Sequence, residues 1–100
     1  MSLDTSADRC RAVLEVRGEF DLATGDTLAR WVEALDPHVR ELILDLSGLA
    51  FIDSSGIGAL LQTRERAAES GRELTLIHPQ PQVLGVLARL GLLGHLRVLQ

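Results

Sequence analysis

Several residue types are scarce in this 100-residue chain, and each scarcity excludes a class of protein. The chain has one cysteine, Cys10, so no internal disulfide can form, and we expect a partly buried structural thiol. One cysteine with three dispersed histidines is not the ligand set of a zinc site, and we expect no metal centre. The aromatic residues are only Phe20, Trp31 and Phe51, so the core must consist of Leu, Ile, Val and Ala.

Positive charge and long apolar runs are also scarce. The ten basic residues are all arginines scattered along the chain, and the net charge is −4. Without a basic stripe to neutralise phosphates, nucleic-acid binding is excluded. No apolar run is long enough to span a bilayer, and the first twenty residues contain no signal-peptide core. We therefore expect a cytoplasmic protein without membrane insertion.

The composition predicts a folded chain with one core. Hydrophobic residues make up 46% of the sequence and charged residues 24%, which is an ordinary globular balance. A chain of this length has no room for a second core, so residues 1–100 are expected to form one domain.

Strand patterns recur along the chain. Short apolar or alternating segments predict strands at residues 12–17, 41–45 and 73–77, with a further apolar piece at residues 96–99 as an edge strand or docked tail. An edge strand over residues 2–5, followed by a turn at residues 7–8, is the weakest of these patterns. Helix patterns between the strands indicate parallel crossovers, so we predict an α/β fold with a small, mostly parallel sheet.

The first helix pattern has apolar residues at helical spacing from Leu28 to Leu35. Thr24 or Asp26 is the predicted cap, and the helix should end before Pro37 because proline disfavours helical geometry in the residue before it. A third helix is predicted over residues 82–90.

The most informative stretch is residues 41–61, ELILDLSGLAFIDSSGIGALL. A strand feeds a small-residue turn that opens the second helix, with Asp53, Ser54 and Ser55 at the turn. Backbone N–H groups and the positive end of the helix dipole favour an oxygen-rich anion at such a position. Taken alone, such a turn is more often an ordinary helix cap, since Asp and Ser are standard capping residues.

Two glycines lie near the start of that second helix, Gly56 and Gly58. Each glycine lowers the stability of a helix by roughly 1 kcal/mol relative to alanine, so another interaction must compensate for this loss. Close approach of another backbone or of a partner surface is the physical reason we expect. The helix should carry a narrow apolar stripe formed by Ile57, Leu60, Leu61, Arg64, Ala67 and Ala68. It should end at Ser70-Gly71, where the glycine can supply a left-handed residue.

The motifs together resemble a STAS domain and, within that family, an anti-sigma factor antagonist. The resemblance rests on GEFD at residues 18–21, DLSGLAFIDSSGIGALL at 45–61, GRELTLIH at 71–78 and VLxxLGLL at 86–93. It covers nearly the whole chain, and the order and spacing of the motifs are more specific than any one of them. The N-terminus is short relative to the family pattern, which leaves open whether the first edge strand forms.

The resemblance implies a bacterial protein that binds an anti-sigma factor with a histidine-kinase-like ATPase fold and so frees a sigma factor. The partner phosphorylates one serine of the turn, which ends binding, and a serine phosphatase restores it. The acceptor carries over onto Ser55, with Ser54 as the fallback, and no cofactor is implied. The implied partner-binding residues are Asp21, Asp53, Ser54, Ser55, Gly56, Ile57 and Gly58.

Three other interpretations compete with this one. A hydrolase would place its serine in G-x-S-x-G, but no glycine lies two residues before Ser54 or Ser55, so we expect no catalytic residues. His78 and His95 are more simply loop or terminal residues than bases. The stronger alternative is a STAS accessory subunit that docks on the ATPase of an ABC-type phospholipid transporter. A scaffold built of several such domains is the third.

Overall fold

The computed structural model describes residues 3–7 and 10–100, which form two sheets and three helices. The strands are β1 Leu3–Ala7, β2 Arg11–Val16, β3 Gly18–Phe20, β4 Glu41–Asp45, β5 Leu49–Ile52, β6 Glu73–Ile77 and β7 Arg97–Leu99. The helices are α1 Leu22–Ala34, α2 Ser54–Glu69 and α3 Pro81–Arg89, and a short 3-10 turn spans Leu92–Gly94.

The main sheet has five strands in the order β1-β2-β4-β6-β7. β1 pairs antiparallel with β2, and all other neighbours in the sheet are parallel. The predicted α/β fold with a small, mostly parallel sheet is therefore confirmed. The first edge strand forms, over Leu3–Ala7, and β7 is the opposite edge. Asp8, part of the predicted turn, and Ser2 lie outside the described residues.

The sheet is wound in one direction, and this winding determines where the core lies. From β2 to β7 each new parallel strand is added on the same side, and right-handed crossovers then put α1, α2 and α3 on one face. The burial pattern agrees with this placement. Side chains on the helical face are all buried: Ala12, Leu14, Val16, Leu42, Leu44, Leu74 and Leu76. On the other face Val13 and Ile43 are only half-buried, and Thr75 of β6 is buried.

α1 begins earlier than predicted, because its cap is Asp21 and not Thr24 or Asp26. An Asp21 carboxylate oxygen accepts hydrogen bonds from both the amide and the hydroxyl of Thr24, which turns Thr24 inward and buries it. The segment DLATGD offers three capping residues, and only the folded chain selects among them. The helix ends before Pro37, as predicted.

α1 and α2 cross at a point where only small residues fit. A Cβ atom on Gly25 would lie 2.3 Å from the Cβ atom of Ala59. The buried stripe of α2 differs in part from the predicted one: Ala59 and Thr63 are buried, whereas Arg64 and Ala68, predicted on the apolar side, are exposed. The predicted stripe was therefore displaced by about one residue along the helix, because it was inferred from sequence spacing alone.

Arg72 joins α1 to the start of β6. Its guanidinium donates hydrogen bonds to the carbonyl oxygens of Val32 at 3.2 Å, Asp36 at 3.1 Å and Val39 at 3.0 Å. These carbonyls lie at and beyond the end of the helix, where intrahelical donors run out.

The single cysteine, Cys10, is exposed, so the prediction of a partly buried thiol was wrong.

Candidate partner-binding and phosphorylation site

The site is built by the two-stranded sheet β3-β5. These strands are parallel, and Phe20 is the register partner of Ile52. The next residue of each strand is an acid that caps a helix: Asp21 caps α1 and Asp53 caps α2. The pairing therefore brings two helix N-termini side by side.

The GEFD motif, residues 18–21, lies beyond the end of β2: its first three residues form the separate strand β3, and Asp21 follows as the cap of α1. β3 begins at Gly18, which has a φ of 84° and whose N–H donates to the Gly48 carbonyl at 2.9 Å. The chain leaves the main sheet there and pairs with β5 instead. The predicted strand over residues 12–17 ends at this glycine, but the sequence did not predict that residues 18–20 form a strand paired with β5.

Asp53 organises the D-S-S-G turn. One of its carboxylate oxygens accepts from the Gly56 amide at 2.8 Å and from the Ser55 hydroxyl at 2.7 Å. Both hydrogen bonds stabilise the ionised carboxylate and so lower the pKa of Asp53 below its ordinary value. The hydrogen bond from Gly56 has the larger effect. The turn therefore carries a negative charge at neutral pH.

Asp21 is also held ionised. Its carboxylate accepts from the Thr24 amide and the Thr24 hydroxyl, each at 3.0 Å, and these bonds lower its pKa. The charge of Asp53 acts in the opposite direction, which means that the two carboxylates are within electrostatic reach of each other. Two ionised acids, the half-buried Asp21 and the exposed Asp53, thus lie beside the serines.

Both candidate serines are exposed in the first turn of α2. Ser54 is the first residue of the helix, and its side chain makes no hydrogen bond to any other described residue. The Ser55 hydroxyl donates to Asp53. Both oxygens lie next to the positive end of the helix dipole, where a phosphate would be electrostatically favoured.

The two glycines of the turn have different surroundings. A Cβ atom on Gly56 would lie 2.0 Å from the Phe20 carbonyl oxygen, so the close backbone approach expected from the sequence occurs within the chain itself. A Cβ atom on Gly58 would meet nothing within 4 Å, and Gly58 is exposed. Ile57, between them, is 7% exposed and belongs to the core.

Sequence reasoning missed several residues around the turn. Leu22 and Phe51 carry large apolar side chains that are exposed beside the two caps. For Phe51 a signal existed, since it alternates with the inward-facing Ile52 in β5. A groove of about 400 Å³ also lies against the Asp21 cap; it is lined by Gly18, Glu19, Asp21, Ala23, Thr24 and Thr27.

No metal-binding or membrane-spanning feature was found in the described part of the chain. No group of three or more His, Cys, Asp or Glu side chains there could hold a metal ion. None of the helices within residues 3–7 and 10–100 is long and apolar enough to cross a membrane.

Residues 4–99 match the family model of the STAS domain, and the chain belongs to this family. It is 33% identical over 96 residues to the anti-sigma F factor antagonist of Paenibacillus polymyxa, an alignment that covers 92% of this chain and 82% of that protein. Membership of the STAS family, and similarity to an anti-sigma factor antagonist, confirm the resemblance on which the sequence interpretation depends.

Solved structures give the same fold. The anti-sigma factor antagonist SpoIIAA of Bacillus matches in its unphosphorylated form, with a TM-score of 0.72, 19% identity and coverage of 99% of this chain and 87% of that chain. Its phosphorylated form matches with a TM-score of 0.71, 21% identity and coverage of 97% and 90%. A sulfate transporter family protein from Wolinella succinogenes matches with a TM-score of 0.78, 26% identity and coverage of 87% and 74%.

Proposed function

We propose that this chain is an anti-sigma factor antagonist, which binds an anti-sigma factor with a histidine-kinase-like ATPase fold and thereby frees a sigma factor. The observation that carries the proposal is the exposed D-S-S-G turn, flanked by the ionised caps Asp21 and Asp53. Similarity to the anti-sigma F factor antagonist of Paenibacillus polymyxa supports the same role. The chain would act by binding in the bacterial cytoplasm, without catalysis of its own.

The proposed switch is phosphorylation of Ser55. The partner transfers the γ-phosphoryl group of ATP to Ser55 Oγ, whose proton leaves, and ADP is released. A serine phosphatase hydrolyses the phosphoester with water and releases inorganic phosphate. In the unmodified chain the Ser55 hydroxyl donates to Asp53, which shows that its oxygen lies close to that carboxylate. Ser54, one residue earlier, is the alternative acceptor.

Phosphorylation at this position should change binding more than folding. A phosphate adds about −1.5 to −2 charge and three acceptor oxygens. The N-terminus of α2 tolerates that charge within the chain, because free N–H groups and the dipole favour it. At an interface that already contains Asp21 and Asp53, the same dianion adds repulsion and desolvation. A change of about 1.4 kcal/mol would already lower the affinity tenfold.

Gly58 fits a surface that a partner approaches closely. It is exposed, and no atom would contact its Cβ, so a side chain there would extend into solvent. Gly56 does not need a partner to explain it, since Phe20 already occupies the space. We therefore assign the close approach of the kinase to Gly58.

A second candidate function is docking on the ATPase subunit of a transporter, such as an ABC-type phospholipid transporter. The match to a sulfate transporter family protein from Wolinella succinogenes supports a role in transport, and the ATPase subunit is the docking partner that the family resemblance implies. Docking of this kind requires no phosphorylation, so a variant that mimics phosphoserine should dock as the wild type does.

Affinity capture distinguishes the two functions. The wild-type chain, Ser55→Asp and the control Ala68→Asp, which adds an acid at an exposed position of α2 far from the turn, are immobilised and exposed to lysate of the source organism. Mass spectrometry should identify a histidine-kinase-like ATPase retained by the wild type and Ala68→Asp but not by Ser55→Asp. Retention of a transporter ATPase by all three forms would contradict the antagonist role and support the second candidate.

A further inference from the structure

Two large apolar side chains are exposed immediately beside the helix caps. Leu22, the first residue of α1, is 62% exposed, and Phe51 in β5 is 54% exposed. Phe20, only one register position away, is 1% exposed and belongs to the core, so the exposure of Phe51 is not shared by its aromatic neighbour. Exposed large apolar groups that cluster often mark protein-interaction sites.

The two side chains lie at the same end of the strand pair β3-β5. Glu19 and Phe51 are register partners in this parallel pair, and adjacent strands are about 4.8 Å apart. Leu22 follows Glu19 by three residues, so its Cα lies at most roughly 16 Å from that of Phe51. Both therefore lie at the end of β3-β5 from which the two caps project.

The surroundings of this pair are acidic. Glu19 and Asp21 line the groove of about 400 Å³ at the start of α1, and Asp53 lies at the end of the neighbouring strand. No arginine lies in the segments 18–29 and 49–63 that form the site, in a chain with ten arginines. The local charge is complementary to a cationic side chain.

We propose that Leu22 and Phe51 are the apolar anchor pair by which this chain docks its partner. The surface they fit is a protein surface with an apolar pocket bordered by arginine or lysine. Large side chains that fill a partner's pocket provide much of the binding energy of a typical interface, and charged groups around them set orientation and association rate. The inference rests on the proposed function, which makes that surface part of the anti-sigma factor.

The test measures affinity for the histidine-kinase-like ATPase captured from lysate, after its purification. Phe51→Ala and Leu22→Ala are compared with Leu90→Ala, because Leu90 is 56% exposed but lies at the end of α3. By calorimetry, Phe51→Ala should raise Kd about tenfold or more and Leu22→Ala about fivefold. Leu90→Ala should leave Kd within about twofold. Melting temperatures of all three variants should stay close to that of the wild type, since exposed side chains contribute little to folding.

The possible results test the anchor pair and the proposed function separately. If the ATPase binds all variants as tightly as the wild type, or if Leu90→Ala weakens binding as much, the anchor pair is wrong and the antagonist role remains. If the wild type retains a transporter ATPase that Phe51→Ala and Leu22→Ala lose, the antagonist role is wrong and the anchor pair is supported. If no ATPase is retained and the variants retain the same proteins as the wild type, both are wrong.

Discussion

At the scale of single residues, the candidate site depends on two aspartates, each of which caps the N-terminus of one of two adjacent helices. Each accepts a backbone N–H in the first turn and a hydroxyl, Thr24 for Asp21 and Ser55 for Asp53. The difference is exposure: the Thr24 side chain is buried, whereas Ser55 faces solvent. The Asp21 cap therefore holds a buried hydroxyl, whereas the Asp53 cap holds an exposed one.

The lowered pKa values predict how acid affects stability. Asp53 has a pKa below its ordinary value of 3.8 in the folded chain, so its charge stabilises the fold above that pH and the contribution is lost as the pH falls through the lowered pKa. Asp53→Asn keeps a capping oxygen but removes the titration. Its free energy of unfolding should be lower than that of the wild type at pH 7, and urea titrations should show the gap closing below pH 3.8.

A gap that stays constant from neutral to acid pH would contradict this account of Asp53. Asp36→Asn provides a matched control outside the site, because the backbone and side-chain hydrogen bonds of His38 also lower the pKa of Asp36. It should show the same acid trend in stability and leave partner binding unchanged.

At the scale of elements, the pairing of β3 with β5 is what assembles the site. The sequence placed Asp21 in the GEFD motif and Asp53 in the turn before the second helix, but it did not predict that a three-residue strand splits from β2 to bring them together. So short a strand has too few residues for a periodic pattern. Its pairing depends on Gly18, whose φ of 84° turns the chain out of the main sheet.

Gly56 and Gly58 should respond in opposite directions to alanine. Gly56→Ala would place a methyl group 2.0 Å from the Phe20 carbonyl oxygen, and the backbone must shift, at a loss of about 1–3 kcal/mol of stability. Gly58→Ala meets open space within a helix and should stabilise the fold by about 0.5–1 kcal/mol. Denaturant unfolding of both variants measures the difference, and equal effects would contradict the assigned surroundings.

A bulkier residue at Gly58 tests the partner's approach. Gly58→Gln should preserve the melting temperature, because the position is open, but weaken binding of the anti-sigma factor about tenfold or more. Binding and thermal melting are measured on the same preparation. A variant that unfolds, or one that binds normally, would remove Gly58 from the interface.

The crossing of α1 and α2 predicts a compensating pair. Gly25→Ala should destabilise the chain by about 1–3 kcal/mol, because its methyl group would lie 2.3 Å from the Ala59 Cβ atom. Ala59→Gly removes that atom, so the double variant should be more stable than the sum of the single effects predicts. Additive effects in a double-mutant cycle would show that the helices do not meet at this point.

At the scale of the whole molecule, the sequence predicted the order and type of the elements well, because strand and helix patterns alternate regularly. Strands β4 and β6 have the predicted bounds, and β7 is the predicted final edge strand. Long-range contacts could not be predicted from the sequence. No local signal indicates that Arg72 reaches the carbonyls of Val32 and Val39, since such contacts depend on how α1 returns along the sheet.

The central claim is that phosphorylation at Ser55 switches binding without unfolding the chain. The most direct measurement incubates the wild type with the purified anti-sigma factor and ATP, maps the phosphoserine by mass spectrometry, and determines Kd and melting temperature for both forms. We predict phosphate on Ser55, a Kd at least about tenfold higher for the phosphorylated form, and an unchanged melting temperature. Equal affinity of the two forms, or phosphate found elsewhere than on Ser55 or Ser54, would contradict the account.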